Sequence, residues 1–399
     1  MASQQEVIVV AGHICLDIIP EMKAVSGTLH ELLVPGKLVD TGPAVLSTGG
    51  AVSNTGLALH RLGFPVRLMG KIGDDLFGRA VQDILRSYSP QLAETMVVAK
   101  GEASSYTIVI NPPLVDRVFL HCTGANDTFH AADVVEDTVK QAGMFHFGYP
   151  PLMRTMYMEE GKELKAALRK AKSCGATVSL DMAKPDPASD AGAADWKRIL
   201  SRVLPYVDLF LPSFDEIVYM LRRDVYDELS AKAGGGELIP FATRELLTSL
   251  ADELIAKGAA VAAIKLGEHG LYAKTTSDAG RFRDIAGRRP DGWESEWLDQ
   301  EYYATCYKVE AAGTTGAGDC TIAGFLAGWN TGRSMADTMK SAVGVGACNV
   351  EKADAVTGVP SWQRVRSRID AGWESRAMAL PLEGLVKVSS GLYSKPDRS

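Results

Sequence analysis

Residues 311–329 read AAGTTGAGDCTIAGFLAGW. Gly313, Gly316 and Gly318 forgo side-chain packing just before Asp319, and residues 320–329 run apolar, as a buried helix does. The pattern predicts a glycine turn feeding a helix start. The amide N–H groups of Gly316, Ala317 and Gly318 would point outward there, at the end of the helix where donors lack partners and the dipole favours negative charge. Without Cβ atoms an anion can approach the chain closely. No lysine follows the glycines, so this is not a Walker P-loop, and the GxGxxG spacing of a dinucleotide site is absent. The same dipole is expected to hold Asp319 ionised. A carboxylate beside an anion cradle repels the anion unless it has a task, and taking a proton from an attacking hydroxyl is such a task. The plain alternative is an aspartate capping a buried helix.

Outward from this loop the chain alternates strand and helix patterns. Residues 7–11 are a continuous apolar run, as in a strand covered on both faces. AVSNTGLALHRLG (51–63) has helical spacing and stops at Gly63. Strand-like FHFGY, ATVSLDM and VDLFLP each precede a helical stretch, and ELLTSLADELIAKG precedes strand-like AAVAAIKLG. Repeated units of this kind imply a largely parallel sheet with helices on both faces. Two β-rich stretches break the rhythm, about 18–48 and 104–124, the second alternating like a hairpin around Pro112 and Pro113. They are expected to pair into a small accessory sheet, a candidate lid. Residues 276–306 read as an ordered excursion whose aromatics shield a small core of their own. Residues 1–378 read as one domain, and 379–399 as a tail that frays.

Composition narrows the class. The chain has 399 residues, 46% hydrophobic and 23% charged, with a formal net charge of -7. That argues against a protein that coats nucleic acid. Six cysteines without CxxC spacing support neither a zinc site nor a redox motif and fit a reducing compartment. The start has no basic n-region, and no stretch reaches the ~18 uncharged apolar residues of a membrane span, so a cytoplasmic protein is expected.

GTTGAGDCTIAGFLAG resembles the C-terminal signature of the ribokinase-like (PfkB) carbohydrate kinases. STGGAVSNTGLALHRLGFPVRLMGKIGDDLFG (47–78) is similar to their N-terminal signature, and GHICLD to the strand end that carries a substrate-binding aspartate. The resemblance implies a three-layer α/β fold with a mostly parallel central sheet, flanking helices and a small β-sheet lid. It implies ATP and Mg2+ as cofactors and a small sugar or polyol as acceptor. By the same resemblance Asp319 is the catalytic base and Gly316, Ala317 and Gly318 the anion hole. Asp17, Gly49, Gly50 and Asn54 are implied to hold the acceptor's hydroxyls. Ser213, Glu216, Lys265, Gly267, Gly270, Thr314 and Asn349 are implied to line the nucleotide site, with Glu216 acting on magnesium through water. A homodimer through the lid is a further implication.

Two positions depart from the family pattern. Ser213 stands where the NxxE element has asparagine, while Glu216 keeps its place. Gly313 replaces an aspartate that helps to bind a monovalent cation in potassium-activated members, so potassium activation is not expected. Asp181, at a strand end in LDMAKPDP, faces the same edge or is an ordinary turn residue. His146 reads as a satisfied core histidine rather than a pocket residue. Two other functions stay open: a nucleoside or vitamin-alcohol kinase of the same fold, and a sugar- or nucleotide-binding protein without catalysis.

Overall fold

A computed structural model of the chain describes residues 5–22, 34–112 and 118–396. The apolar run at residues 7–11 becomes β1, Ile8–Gly12, which is buried throughout. The strands that follow are β2 Cys15–Pro20, β3 Ala44–Gly49, β4 Val66–Met69, β5 Lys71–Gly73, β6 Val97–Ala99, β7 Tyr106–Ile110 and β8 Val118–Cys122. After them come β9 Met144–Gly148, β10 Thr177–Leu180, β11 Leu209–Phe210, β12 Val261–Lys265, β13 Leu271–Thr275, β14 Glu301–Ala304, β15 Val386–Ser389 and β16 Leu392–Ser394. Ten of them make one sheet in the order β15-β16-β14-β13-β12-β11-β10-β9-β1-β4. From β4 to β12 neighbours are parallel, as the strand–helix alternation requires; from β12 outward they are antiparallel.

Helices cover both faces. On one lie α1 (Ala51–Leu62), α3 (Ala317–Asn330) and α4 (Met335–Val350), with Leu57, Leu59, Phe325, Trp329 and Val345 in its core. On the other lies α2 (Phe214–Leu221), with Ile217 beside Phe145, Leu168, Phe210 and Leu250. Each such side chain, fully buried, contributes roughly 1.5–3 kcal/mol before conformational entropy is subtracted. Among the described residues no helix is long and apolar enough to cross a membrane.

A separate four-stranded sheet has the order β3-β2-β7-β8, with Asp17 opposite Ser47 on one side and Thr107 on the other. It draws on both β-rich stretches but begins earlier, at Cys15. Residues 23–33 and 113–117 of those stretches, Pro113 among them, lie outside the described residues.

Two expectations change. The tail is not frayed over residues 386–394: β15 and β16 form a hairpin that pairs with β14, and Leu380, Leu382 and Leu392 are buried. Valines alternating with polar residues before the turn at Gly391 (φ 65°) carry that hairpin, and the small polar residues around them mask it in the sequence. Nor do the aromatics of the 276–306 excursion keep a core of their own. Trp297 is fully buried edge-on against Trp329 of α3, with ring centroids 4.7 Å apart, and its Nε1 donates to the Arg333 carbonyl at 3.0 Å. Trp297 and its neighbours thus belong to the main core.

The sheet order fixes where a ligand can sit. β1 leads to β4 on one side, whereas β9, on its other side, begins the run to β12. The crevice of such a sheet opens at the carboxyl ends of the strands where the order reverses. Gly12 and Gly148, the last residues of β1 and β9, are paired at that point, with His13 and Tyr149 next in the chain.

Candidate active site

The loop before α3 is tied down on both sides. Ala312 N–H donates to the Val350 carbonyl at 2.7 Å, and Asn349 Nδ2 donates to the Thr315 carbonyl at 2.8 Å. Gly316 adopts φ 72°, a left-handed conformation that suits glycine, and a Cβ there would stand 2.5 Å from the Ala355 carbonyl oxygen. Cys320 N–H makes the first intrahelical bond, to the Gly316 carbonyl at 2.8 Å. The N–H groups of Gly318 and Asp319 come before that bond and have no intrahelical partner. Ala317 N–H instead donates to the Thr314 carbonyl at 3.2 Å, so the cradle expected from three amides is narrower by one.

Asp319 is 4% exposed. Asn54 Nδ2 donates to its Oδ2 at 3.0 Å, Thr55 Oγ1 to its Oδ1 at 3.4 Å, and the Tyr149 hydroxyl to both oxygens at 2.8 Å. Burial pushes this carboxyl above its usual range, against the pull of the Lys265 ammonium and of those three donors. The helix dipole thus does not set the direction of this shift. Desolvation outweighs the helix end, because the side chain is enclosed rather than at the surface.

A cavity of about 300 Å³ opens on Asp319. Gly316, Ala317, Gly318, Thr314, Lys265, Gly267, Ser213 and Glu216 line it together with Tyr149, Asp215 and Ile239. Ser213 caps α2: its hydroxyl accepts from Glu216 N–H at 3.4 Å, and its own N–H donates to Glu216 Oε2 at 2.6 Å. Lys265 Nζ lies 2.6 Å from Asp181 Oδ1, which makes Asp181 the fully buried ion-pair partner of a cavity-lining lysine. Burial would lower the lysine, but the carboxylates of Asp181, Glu216 and Asp319 more than reverse it. Burial raises Asp181 and Glu216 in turn, with Lys265 opposing.

Asn54, which holds Asp319, sits in the first turn of α1, and the start of α1 joins Gly50 and Gly49 at the end of β3, the strand paired with the β2 that carries Asp17. A Cβ on Gly49 would stand 2.4 Å from Asp17 Oδ2, and one on Gly50 (φ 86°) 2.5 Å from His13 Nδ1. Both glycines therefore let polar side chains lie against the main chain. Burial raises Asp17, with Cys15 and Thr107 opposing through hydrogen bonds. His13 is buried between Tyr149 and His121, with ring centroids 6.3 and 5.3 Å away. Burial, then His121, lowers it to about 3, so it is neutral. Neither His13 ring nitrogen has a partner among the described residues, and nor does Asn54 Oδ1.

Gly316, Ala317, Gly318 and Asp319 thus line one cavity with Ser213, Glu216, Lys265, Gly267 and Thr314, Asn54 bonds to Asp319, and Asn349 and Gly270 stand apart. Asn349 turns its amide onto Thr315 and supports the loop from behind. Gly270 (φ 115°) is a strand turn whose missing Cβ would lie 2.0 Å from the Ala304 carbonyl oxygen. Neither lines the cavity. His146 is buried and bonded through Nδ1 to Ser179 Oγ at 3.0 Å. At Gly313 a Cβ would meet the Ala353 Cα and carbonyl oxygen at 2.9 Å, so this backbone path has no space for an aspartate side chain. Sequence reasoning missed Tyr149, Thr55 and His13. Their signal was position: each directly follows a strand end or a residue already singled out.

Comparisons with known proteins identify the fold and the family. Structural neighbours include a fructokinase with bound ATP from Xylella fastidiosa, with TM-score 0.65 and 17% identity, covering 92% of this chain and 99% of that one. A ribokinase from Arabidopsis thaliana complexed with ribose and ATP has TM-score 0.65 and 16% identity, covering 91% and 98%. In sequence, a 2-dehydro-3-deoxygluconokinase from Bacillus subtilis is 23% identical over 316 residues, 78% of this chain and 83% of the relative. An uncharacterized sugar kinase from Archaeoglobus fulgidus is 23% identical over 304 residues, 75% and 97% respectively. The model of the pfkB family carbohydrate kinases matches residues 6–362. The fold is ribokinase-like, and the chain belongs to the pfkB family of carbohydrate kinases.

Proposed function

We propose that the chain is an ATP- and magnesium-dependent kinase that transfers the γ-phosphoryl group to a hydroxyl of a small sugar or polyol, with Asp319 as general base. The observation that carries this reading is the position of Asp319. It lies in the first turn of α3, opens on the anion-facing cavity, and is bonded to Asn54 of the helix that carries the acceptor side. Phosphoryl transfer asks for positioning and charge neutralisation more than for covalent chemistry. The N–H groups of Gly318 and Asp319 and the Lys265 ammonium meet the transferring group. Asn54 and Thr55 hold the carboxylate that takes the acceptor's proton. A carboxyl raised by burial is a better base near neutral pH than an ordinary one.

The cavity wall fits magnesium. The buried carboxylates of Asp181, Glu216 and Asp319 outnumber the one ammonium among them, and Asp181 Oδ2 has no partner among the described residues. Glu216 would hold the ion through water, as suits its reluctance to dehydrate, and the ion would neutralise charge on the phosphates. No potassium requirement is expected, given the backbone at Gly313. On the acceptor side the carboxylate of Asp17 stands near a neutral His13, which favours an uncharged polyol over an acidic sugar. The cluster of His13, His121 and Tyr149 rings supports a second reading, a nucleoside acceptor, since a base could stack there.

Replacing Asp319 by Asn keeps the shape and removes the base. Turnover should fall by about 10²–10⁴ while ATP affinity stays within a few-fold. Turnover within tenfold of wild type would refute the assignment. ATP consumption across a panel of sugars, polyols, acid sugars and nucleosides separates the acceptors, and activity on nucleosides alone would replace the first reading with the second.

A further inference from the structure

Tyr149 occupies the place on Asp319 that an incoming alcohol needs. It follows β9 in the stretch FHFGYPP and holds φ 63°, uncommon for a bulky residue, with Pro150 and Pro151 fixing the chain beyond it. Both Tyr149 and Asp319 line the cavity, while Asn54 and Thr55, the other two donors to the carboxylate, do not. The phenol is thus the donor on the cavity side, 2.8 Å from each oxygen. A carboxylate offers about four lone-pair positions, and those facing the cavity are the ones from which a proton could be collected. Burial, then Asp319, pushes the phenol well above its ordinary value, so it stays a donor at neutral pH.

Resting on the reading of Asp319 as the base, we propose that Tyr149 is a plug on that base. It denies Asp319 to water while the acceptor site is empty and is displaced by the acceptor's hydroxyl. Wasteful hydrolysis would bond a water oxygen to the γ-phosphorus as the bond to the ADP oxygen breaks, with the water's proton passing to Asp319. The bound phenol removes the proton's destination. Backbone strain is tolerated at such a point because the rigid Pro-Pro segment keeps the ring aimed at the carboxylate.

The test is inorganic phosphate release from MgATP without any acceptor, expressed relative to phosphorylated product at saturating acceptor. In Tyr149→Phe, which removes only the hydroxyl, that ratio should rise about tenfold, the scale of one hydrogen bond to a charged group. Tyr149→Leu, which removes the ring as well, should raise it at least as far. In Tyr149→Phe combined with Asp319→Asn, acceptor-free phosphate release should equal that of Asp319→Asn alone. An unchanged or lower ratio in either Tyr149 variant, or a rise that persists without the carboxylate, overturns the plug. Full acceptor turnover in Asp319→Asn alone overturns the base assignment instead, so the two failures are told apart.

Discussion

Removing the ammonium at Lys265 tests the charge arrangement of the cavity wall. In Lys265→Met the side chain keeps its length but leaves Asp181 fully buried without its partner at 2.6 Å. Nothing then offsets burial, and the folded-state pKa of Asp181 rises further above the unfolded value of ~3.9. The sign follows from proton counts. Below pH ~4 the carboxyl is protonated in both states and no penalty exists. As pH climbs, the unfolded chain releases this proton while the folded one keeps it, so stability falls by about 1.4 kcal/mol per pH unit until the folded pKa is reached. Wild type shares this loss up to its own folded-state Asp181 pKa of about 8, so the two proteins diverge only above it, by about 1.4 kcal/mol at pH 9 and towards the roughly 3–5 kcal/mol of a broken buried pair beyond. With an unfolding entropy of about 2.1 cal/mol/K per residue over 399 residues, the titrating part of the loss in Tm should be about 0 °C at pH 7 and about 2 °C at pH 9. Thermal melts of wild type and variant at both pH values measure it. Adding Asp181→Asn should remove the pH dependence of the gap. A gap of equal size at both pH values would refute the reasoning, because a packing defect does not titrate.

Two more perturbations address the acceptor side and the tail. Gly49→Ala would set a methyl 2.4 Å from Asp17 Oδ2 and displace that carboxylate, so the acceptor's KM should rise at least tenfold with the KM for ATP within twofold; parallel changes in both would sink the assignment. Deleting residues from 379 onward removes the β15–β16 hairpin and the buried Leu380, Leu382 and Leu392, a loss of roughly 5–9 kcal/mol of apolar burial. The truncated chain should be insoluble or melt far below the full chain, and an unchanged Tm would mean that the hairpin contributes nothing.

The fold was legible where local pattern and burial agree. The all-buried β1, the helix ending at Gly63 and the βα repeats each announce themselves, because a strand covered on both faces must be apolar throughout and a covering helix must repeat every three to four residues. Legibility fails where stability is borrowed from distant parts of the chain. The β15–β16 strands are short and half exposed, and they persist because the edge of β14 offers unpaired backbone groups. Between Arg154 and Ser173 the helix is broken, as Met158 to Gly161 leave helical geometry and Gly161 sits against Ile199 of the neighbouring helix, a packing demand with no local signature.

At the site, legibility divides by whether a residue's chemistry is written in the backbone or in a contact. Gly316, Gly49 and Gly50 could be read because a bare backbone before a helix has few explanations, and the geometry at each now gives the reason in ångströms. Tyr149 was missed despite its position after a strand end, since an aromatic after a buried strand is nearly always core. Only the register of β9 against β1 brings it over Asp319, 170 positions further along the chain. The same register accounts for His13, which β1 delivers to the carboxyl edge beside Gly148, where His13 N–H donates to the Gly148 carbonyl at 3.2 Å. Adjacent strand ends at a topological switch thus place a buried imidazole beside a phenol that is bonded to the base. Two buried polar groups there, the His13 ring and Asn54 Oδ1, have no partner among the described residues, although folding alone gives no reason to leave them unpaired. A ligand carrying both donors and acceptors, as every sugar hydroxyl does, supplies that reason.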